Sequence, residues 1–369
     1  MIIEKENLYK LPFSKHDNPV GWIEPTTFCQ LKCPDCYRGT DRDDFVPAHR
    51  DIDDVKKEID KLVKIRNIQS LTIAGGEPLL YPFLDEIVKY AGNKKLKVLI
   101  DTNGILLDEK RLIELRDLGA TRIVVHIDKY QKRGLVNNEN KANELRKEYC
   151  DLFRKVGGIS LGFIMPISGD NVDDLEIIIP FLKDNTDIIK IGVFTILGKT
   201  FSDDPLPANK TIDHNEVFTK VKKLYGLEYC SYLKKTISDN PAWLFSYNVF
   251  AGKKFLGSTD KDIAKLVQEE NYKKEKRYFK ISNDDFKSMH FIIKEFLNKS
   301  VQKIILRYLK SGCKGKIHQQ AILVVSSPQF INGQLDLCTA CPHAIFYREE
   351  LVPSCLLERV KRGENIKLE

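Results

Sequence analysis

Ser70-Leu71-Thr72-Ile73-Ala74-Gly75-Gly76-Glu77-Pro78 sets the frame for reading the whole chain. A short apolar, β-favouring run is cut off by two glycines and a proline, so a buried strand runs into a tight loop. Upstream, Asp53 to Ile65 places Val55, Ile59, Leu62 and Val63 on one face with charges opposite, the period of an amphipathic helix, and Asp108 to Leu118 repeats it. Further candidate strands are Gly21 to Glu24, Lys97 to Asp101, Arg122 to Ile127, Ser160 to Met165 and Ile188 to Phe194. Asn171, Asp173 and Asp174 before Leu175 read as an N-cap and acidic first turn. Six strands alternating with helices predict an α/β fold built on a parallel sheet, either open or a partial barrel.

After Phe194 the rhythm breaks. Asp203, Asp204, Pro205 and Pro207 are loop chemistry. The next hundred or so residues read as helical. From Phe286, the apolar positions Met289, Ile293, Phe296, Leu297, Val301, Ile304, Ile305 and Leu309 recur mostly at spacings of three and four, behind a Ser282–Asp285 pair like a capping box. Trp243, Phe245, Tyr247 and Phe250 form an aromatic group suited to a core or to a pocket wall. From Gly312 the composition changes again. Ala321 to Val325 is a short apolar run, Asn332-Gly333 is a hairpin signal, and Ile345 to Val352 is a mixed run around Glu349-Glu350.

The 369 residues suggest about two domains at roughly 150 residues each. With 42% apolar and 30% charged residues the chain can bury a full core. Its +7 charge is spread without a basic block, which gives no ground for expecting nucleic-acid binding. No stretch approaches the about 20 apolar residues of a membrane span, and Met1 to His16 has no secretory h-region. A cytoplasmic location is expected.

Nine cysteines, an odd number, argue for reduced thiols and metal ligands over a disulfide framework. Cys29, Cys33 and Cys36 fall in the loop after the first candidate strand. Three thiolates do not complete a structural zinc site, which wants four protein ligands, unless a distant residue supplies the fourth. Held on an iron–sulfur cubane, they leave one iron open, as a catalytic metal requires.

The segment Phe28-Cys29-Gln30-Leu31-Lys32-Cys33-Pro34-Asp35-Cys36-Tyr37 resembles the radical S-adenosylmethionine (SAM) superfamily, whose motif is CxxxCxxC. In that family an aromatic residue commonly precedes the last cysteine; here Asp35 stands there and Tyr37 follows Cys36. Gly75-Gly76-Glu77-Pro78 matches the GGEP segment that binds the SAM amino group in the family. Asp101-Thr102-Asn103-Gly104 resembles its Thr-Asn-Gly segment, and Val125-His126-Ile127-Asp128 lies where relatives carry Ser-Leu-Asp, with His126 in place of Ser. The resemblance covers roughly residues 20 to 195. It implies a partial (β/α)6 TIM-like barrel with a helical insertion and a small cysteine-rich C-terminal extension. It also implies SAM chelated to a 4Fe-4S cluster on Cys29, Cys33 and Cys36, with Gly75, Gly76, Glu77, Pro78, Asn103, His126 and Tyr37 as cofactor contacts. Reductive cleavage of SAM would then yield a 5′-deoxyadenosyl radical that abstracts hydrogen from an organic substrate, a peptide or a small biosynthetic intermediate. A low-potential electron donor such as flavodoxin or ferredoxin is the implied partner.

Cys313, Cys338, Cys341 and Cys355 supply four thiols to the tail, enough for one 4Fe-4S cluster or a four-cysteine zinc site. The resemblance to SPASM and twitch extensions of radical SAM enzymes favours an auxiliary 4Fe-4S cluster. His343 or His318 could substitute should Cys313 not bind, but the favoured reading of both is a surface or hydrogen-bonded residue. Cys150 and Cys230 read as buried small apolar residues. The expected division is a radical SAM partial barrel (1–197), a linker and helical substrate-cover region (198–311) and an auxiliary-cluster region (312–369). The competing reading is a noncatalytic iron–sulfur or zinc protein that binds a partner or nucleic acid.

Overall fold

The structure, a computed structural model, describes residues 3–131, 133–198, 207–278, 297–312, 314–364 and 366. After a short β1 (Tyr9–Lys10), strands and helices alternate: β2 (Val20–Thr26), α1 (Ile52–Arg66), β3 (Ser70–Gly75), α2 (Leu84–Asn93), β4 (Lys97–Thr102), α3 (Glu109–Asp117), β5 (Ala120–His126), α4 (Glu139–Val156), β6 (Ser160–Ile167), α5 (Leu175–Asp184) and β7 (Ile189–Ile196). Side-chain caps start these helices where the sequence offers them. Asp51 accepts from Asp53 N at 2.8 Å, Asp108 from Arg111 N at 2.7 Å and Asn138 from Lys141 N at 3.0 Å. Asn171 does otherwise: its Oδ1 accepts from Ser168 N, and a 3-10 turn over Val172–Asp174 precedes α5.

Strands β2 to β7 lie side by side in chain order, all parallel. These are the six strands expected, arranged as a partial barrel. One face packs on the helices through Ile23, Ile73, Ile100, Ile123 and Phe163. The inner face carries Val124, Ile191, Trp243, Phe245, Tyr247 and Leu323. Burial on both faces explains the near-continuous apolar runs.

The second half departs from expectation. It continues through α6 (His214–Tyr225), β8 (Ser231–Lys234), β9 (Pro241–Ala251), β10 (Lys254–Ser258), α7 (Lys261–Glu275), α8 (Lys299–Lys310), β11 (Ile317–Val325), β12 (Gln329–Ile331), β13 (Gln334–Asp336), β14 (Ala344–Tyr347), β15 (Glu350–Pro353) and α9 (Leu357–Lys361). The helical reading of 198–311 therefore fails over residues 231–258, which are strands of the main sheet. Every residue of β9 is buried, with Trp243, Phe245 and Tyr247 inside and Leu244 and Phe250 outside, so no alternation marked it in the sequence. The Ala321–Val325 run is also a sheet element. Strand β11 pairs parallel with β7 and antiparallel with β9, making a seventh parallel strand from the far end of the chain. The region from 312 onward is thus divided between one barrel strand and an appendage. The Phe286–Phe296 part of the apolar stripe, the Ser282–Asp285 pair and Cys313 lie outside the described residues.

Past β11, Asn332 and Gly333 turn the β12–β13 hairpin with φ of 50° and 77°, as the sequence signalled. A second hairpin, β14–β15, turns on Arg348 and Glu349, both at positive φ, without the usual turn residues. The tail then spans from the end of β8 to the chain around β2. On one side Lys235 forms a β-bridge with Cys338, and Thr339 N donates to Lys234 O at 3.0 Å. On the other, Asn18 Nδ2 donates to Ala340 O at 2.9 Å and Arg66 Nη2 to Cys341 O at 2.5 Å. Between them the His343 ring stacks on Trp22 of β2 at 3.9 Å and meets Trp243 of β9 edge-on at 4.7 Å.

Candidate active site

Three loops meet at the C-terminal ends of β2, β3 and β4, the end where ligands bind in parallel α/β sheets. The first holds Cys29, Cys33 and Cys36, all partly exposed. Its turn is closed by Cys36 N donating to Cys33 O at 3.3 Å and Gly39 N to Cys36 O at 2.8 Å. Asp35 sits there at φ 58°, a left-handed position that Asp and Asn tolerate better than a bulky ring. This gives a physical reason for Asp, where the family commonly has an aromatic residue. Tyr37 instead turns inward, and its hydroxyl donates to Glu24 Oε1 at 3.1 Å.

The second loop is the Gly75–Pro78 turn. A Cβ on Gly75, which has φ 114°, would lie 2.5 Å from Thr26 O, and one on Gly76 only 2.3 Å from Phe28 O. The paired glycines thus serve the contact between this turn and the root of the cysteine loop, sealed by Gly76 N to Thr26 O at 2.9 Å and Glu77 N to Phe28 O at 2.7 Å. Pro78 begins a 3-10 turn that Glu77 caps through Leu79 N at 2.9 Å.

Glu77 is fully buried. Its carboxylate also accepts from the Thr102 hydroxyl at 2.6 Å and Asn103 N at 2.7 Å. Burial raises the carboxyl's pKa, and these donors work against the rise. With three protein donors on its two oxygens, Glu77 acts first as a clamp between the ends of β3 and β4. Asn103, thus fixed, reaches toward the cysteines: its Nδ2 lies 3.7 Å from Cys29 Sγ and 3.2 Å from Gln30 Oε1. Arg133 donates to the carbonyls of Asn103 and of His126, the latter at 3.0 Å. His126 Nε2 lies 2.7 Å from Asp128 Oδ2, and Asp128 is pulled below the usual carboxylate range by His126 and by Tyr130 N against the cost of its burial.

The cysteine loop fits a multi-iron group by its donor chemistry. Burial pushes the Cys33 thiol up to about 12, and neighbouring Cys36 and Cys29 push the same way, so holding Cys33 as a thiolate calls for a cationic partner. Among the described residues no three His, Cys, Asp or Glu side chains converge on a single metal ion.

The tail brings Cys338, Cys341 and Cys355 into one neighbourhood. Cys338 hydrogen-bonds Cys341, which together with burial raises its thiol pKa, and Cys355 is pushed up to about 12 by burial with Cys338 adding repulsion. His318 is elsewhere, bonded to Thr186 at 2.8 Å and stacked on Phe250. Cys150 and Cys230 are buried, as expected. A cavity of about 570 Å³ lies between the segment after Cys36 and the β14–β15 hairpin, and it includes none of the cysteines.

Sequence reasoning missed Glu24, Arg38 and Arg133, and it held Thr102 only as part of the Thr-Asn-Gly segment, with no role of its own. Glu24 was visible as a charge ending an apolar strand. Its Oε2 pairs with Arg38 Nη1 at 3.1 Å, both side chains 1% exposed, and Arg38 continues to Glu358 at 2.7 Å.

Comparison with known proteins agrees with this geometry. The family model described as the Radical SAM superfamily matches residues 23–182. A Methanosarcina barkeri protein named Fe-coproporphyrin III synthase is 27% identical over 179 residues, 47% of this chain and 43% of its own length. AdoMet-dependent heme synthase of the same organism is 35% identical over 109 residues, 30% of each chain. The chain therefore spans less than half the length of these relatives. Among solved structures, Streptococcus suis SuiB bound to S-adenosylmethionine aligns with a TM-score of 0.44 and 16% identity, covering 57% of this chain and 48% of that one. The segment that holds the three-cysteine loop, the Gly75–Pro78 turn and Asn103 is a radical SAM domain.

Proposed function

We propose that the chain is a radical SAM enzyme that cleaves SAM reductively and abstracts hydrogen from a peptide or a small biosynthetic intermediate. The observation that carries this reading is the joining of the cysteine loop to the Gly75–Pro78 turn and to Asn103, which makes one site of three separate motifs. A 4Fe-4S cluster on Cys29, Cys33 and Cys36, once bound, supplies an open iron for SAM and the electron that breaks its sulfonium bond. The chain's own residues position that chemistry. Gly75 and Gly76 hold the cysteine loop against β3, Glu77 fixes the Asn103 backbone, and the Asn103 amide faces Cys29 and Gln30. His126, oriented by Asp128, stands at the end of β5 with about a third of its side chain exposed, suited to contact SAM or substrate.

The tail thiols Cys338, Cys341 and Cys355 support a second centre, an auxiliary 4Fe-4S cluster. Cys313 remains the proposed fourth ligand. A low-potential donor such as flavodoxin or ferredoxin would supply electrons. Among the described residues no helix is long and apolar enough to cross a membrane, and a cytoplasmic setting is part of the proposal. Anaerobic reconstitution with iron and sulfide, then SAM and dithionite, tests it: 5′-deoxyadenosine should form and Cys33→Ala should abolish it. About eight irons per chain should be bound, whereas four irons and one zinc would move the tail to a structural role.

A further inference from the structure

The surroundings of the tail cysteines contain polar groups that the packing of the barrel does not require. Trp243 is 6% exposed, and its indole Nε1 is a buried donor without an acceptor in hydrogen-bond geometry among the described residues. A stranded buried N–H of this kind is costly and calls for an explanation. Cys338 packs against the same inner core as Trp243. On the adjacent strand end, Lys235 is 1% exposed and forms the β-bridge to Cys338. Its ammonium donates to Ser327 O at 3.1 Å and Gln329 Oε1 at 2.7 Å, two neutral acceptors. Asp336 is a nearby carboxylate.

Asp336 does not account for Lys235. Its carboxylate is occupied by Ile237 N at 2.8 Å and the Ser238 hydroxyl at 2.5 Å. The other charges around the thiols are Arg66, near Cys341, and Glu24, near Cys355. Neither comes from the β8–β9 hairpin. A buried cation and a buried, unmatched N–H, both on residues beside Cys338, are what a metal-bound thiolate needs and a thiol does not.

We propose that Trp243 and Lys235 set the reduction potential of the Cys338–Cys341–Cys355 centre, the indole N–H donating to the Cys338 sulfur and the ammonium offsetting the negative charge of the ligands. The proposal rests on the reading of the tail as an iron–sulfur site. Both residues belong to the barrel's β8–β9 hairpin, so the barrel governs the electronics of a centre whose ligands lie in the tail. Donors and positive charge near the sulfurs favour the more negative, reduced state and raise the potential. Removing either should lower it.

The test uses the full chain with Cys29, Cys33 and Cys36 all changed to Ala, reconstituted anaerobically so that only the tail centre can hold iron, and followed by a redox titration read by EPR. Into this background go Trp243→Phe, Lys235→Met and, as a control, Tyr247→Phe, which removes another buried unpaired donor of β9. Trp243→Phe and Lys235→Met should each disfavour reduction about tenfold, a midpoint lower by about 59 mV for one electron, with about four irons retained. Tyr247→Phe should leave the midpoint in place. An unchanged midpoint in Lys235→Met with iron retained overturns the proposal even if Trp243→Phe does not fold. A parent that binds no iron in its tail overturns the reading beneath it instead.

Discussion

The Thr102 hydroxyl donates to Glu77 Oε1 at 2.6 Å, while the next residue's backbone N–H binds Oε2 at 2.7 Å. One buried carboxylate therefore ties the end of β3 to the end of β4 and aims Asn103 at Cys29. Thr102→Val removes a donor from a fully buried charge and should cost about 1–3 kcal/mol in urea unfolding of the apoprotein. Thr102→Ser, which keeps the hydroxyl, should recover most of that. Equal stability of the Val and Ser variants would mean the hydroxyl contributes nothing.

Gly76→Ala tests the joint between the two loops. Its Cβ would meet Phe28 O, a backbone atom with nowhere to go, at 2.3 Å. The cysteine loop must shift, at a cost of roughly 1–3 kcal/mol. Iron bound by the first centre should fall while the tail's share stays constant. Wild-type iron content would show that the loop's position is indifferent to this contact.

The six-strand core was legible because each strand is short, apolar and followed by an amphipathic helix, as in Ser70–Gly75 and Leu84–Asn93. The cysteine loop and Gly75–Pro78 were legible as spacing and composition. The role of the glycines was not, because the backbone they approach, Thr26 to Phe28, lies nearly fifty residues earlier. Strands β9 and β11 escaped for related reasons: one is buried on both faces, and the other finds its parallel neighbour, β7, more than a hundred residues upstream. In sequence His343 read first as a surface or hydrogen-bonded residue and second as a spare ligand. Its ring is held between Trp22 and Trp243, where it fastens the tail to the barrel interior.

Glu24 carries the link between the two halves. It accepts from Trp22 Nε1 at 2.9 Å and the Tyr37 hydroxyl at 3.1 Å, and it pairs with Arg38. Glu24→Gln leaves the Arg38 guanidinium with only the more exposed Glu358 and should destabilise the fold by about 3–5 kcal/mol, as breaking a buried ion pair does. Denaturant unfolding measures this, and a change below about 1 kcal/mol would contradict the buried-pair description.

His214 opens α6, where the helix dipole disfavours a proton, and burial with nearby Lys235 brings its pKa down to about 4. The folded value lies below the unfolded value of about 6.5. Its stabilising contribution is therefore complete above pH 6.5 and is lost as pH falls toward 4, by up to about 1.4 kcal/mol per unit. His214→Gln should flatten the slope of stability between pH 6.5 and 5. An unaltered slope would assign that pH dependence to other groups.

The most direct test of the proposed chemistry is the yield of 5′-deoxyadenosine from SAM and dithionite by the anaerobically reconstituted protein. Radical SAM cleavage requires release of 5′-deoxyadenosine by the wild type and none by Cys33→Ala. A wild-type protein with its first cluster intact that forms none would contradict it.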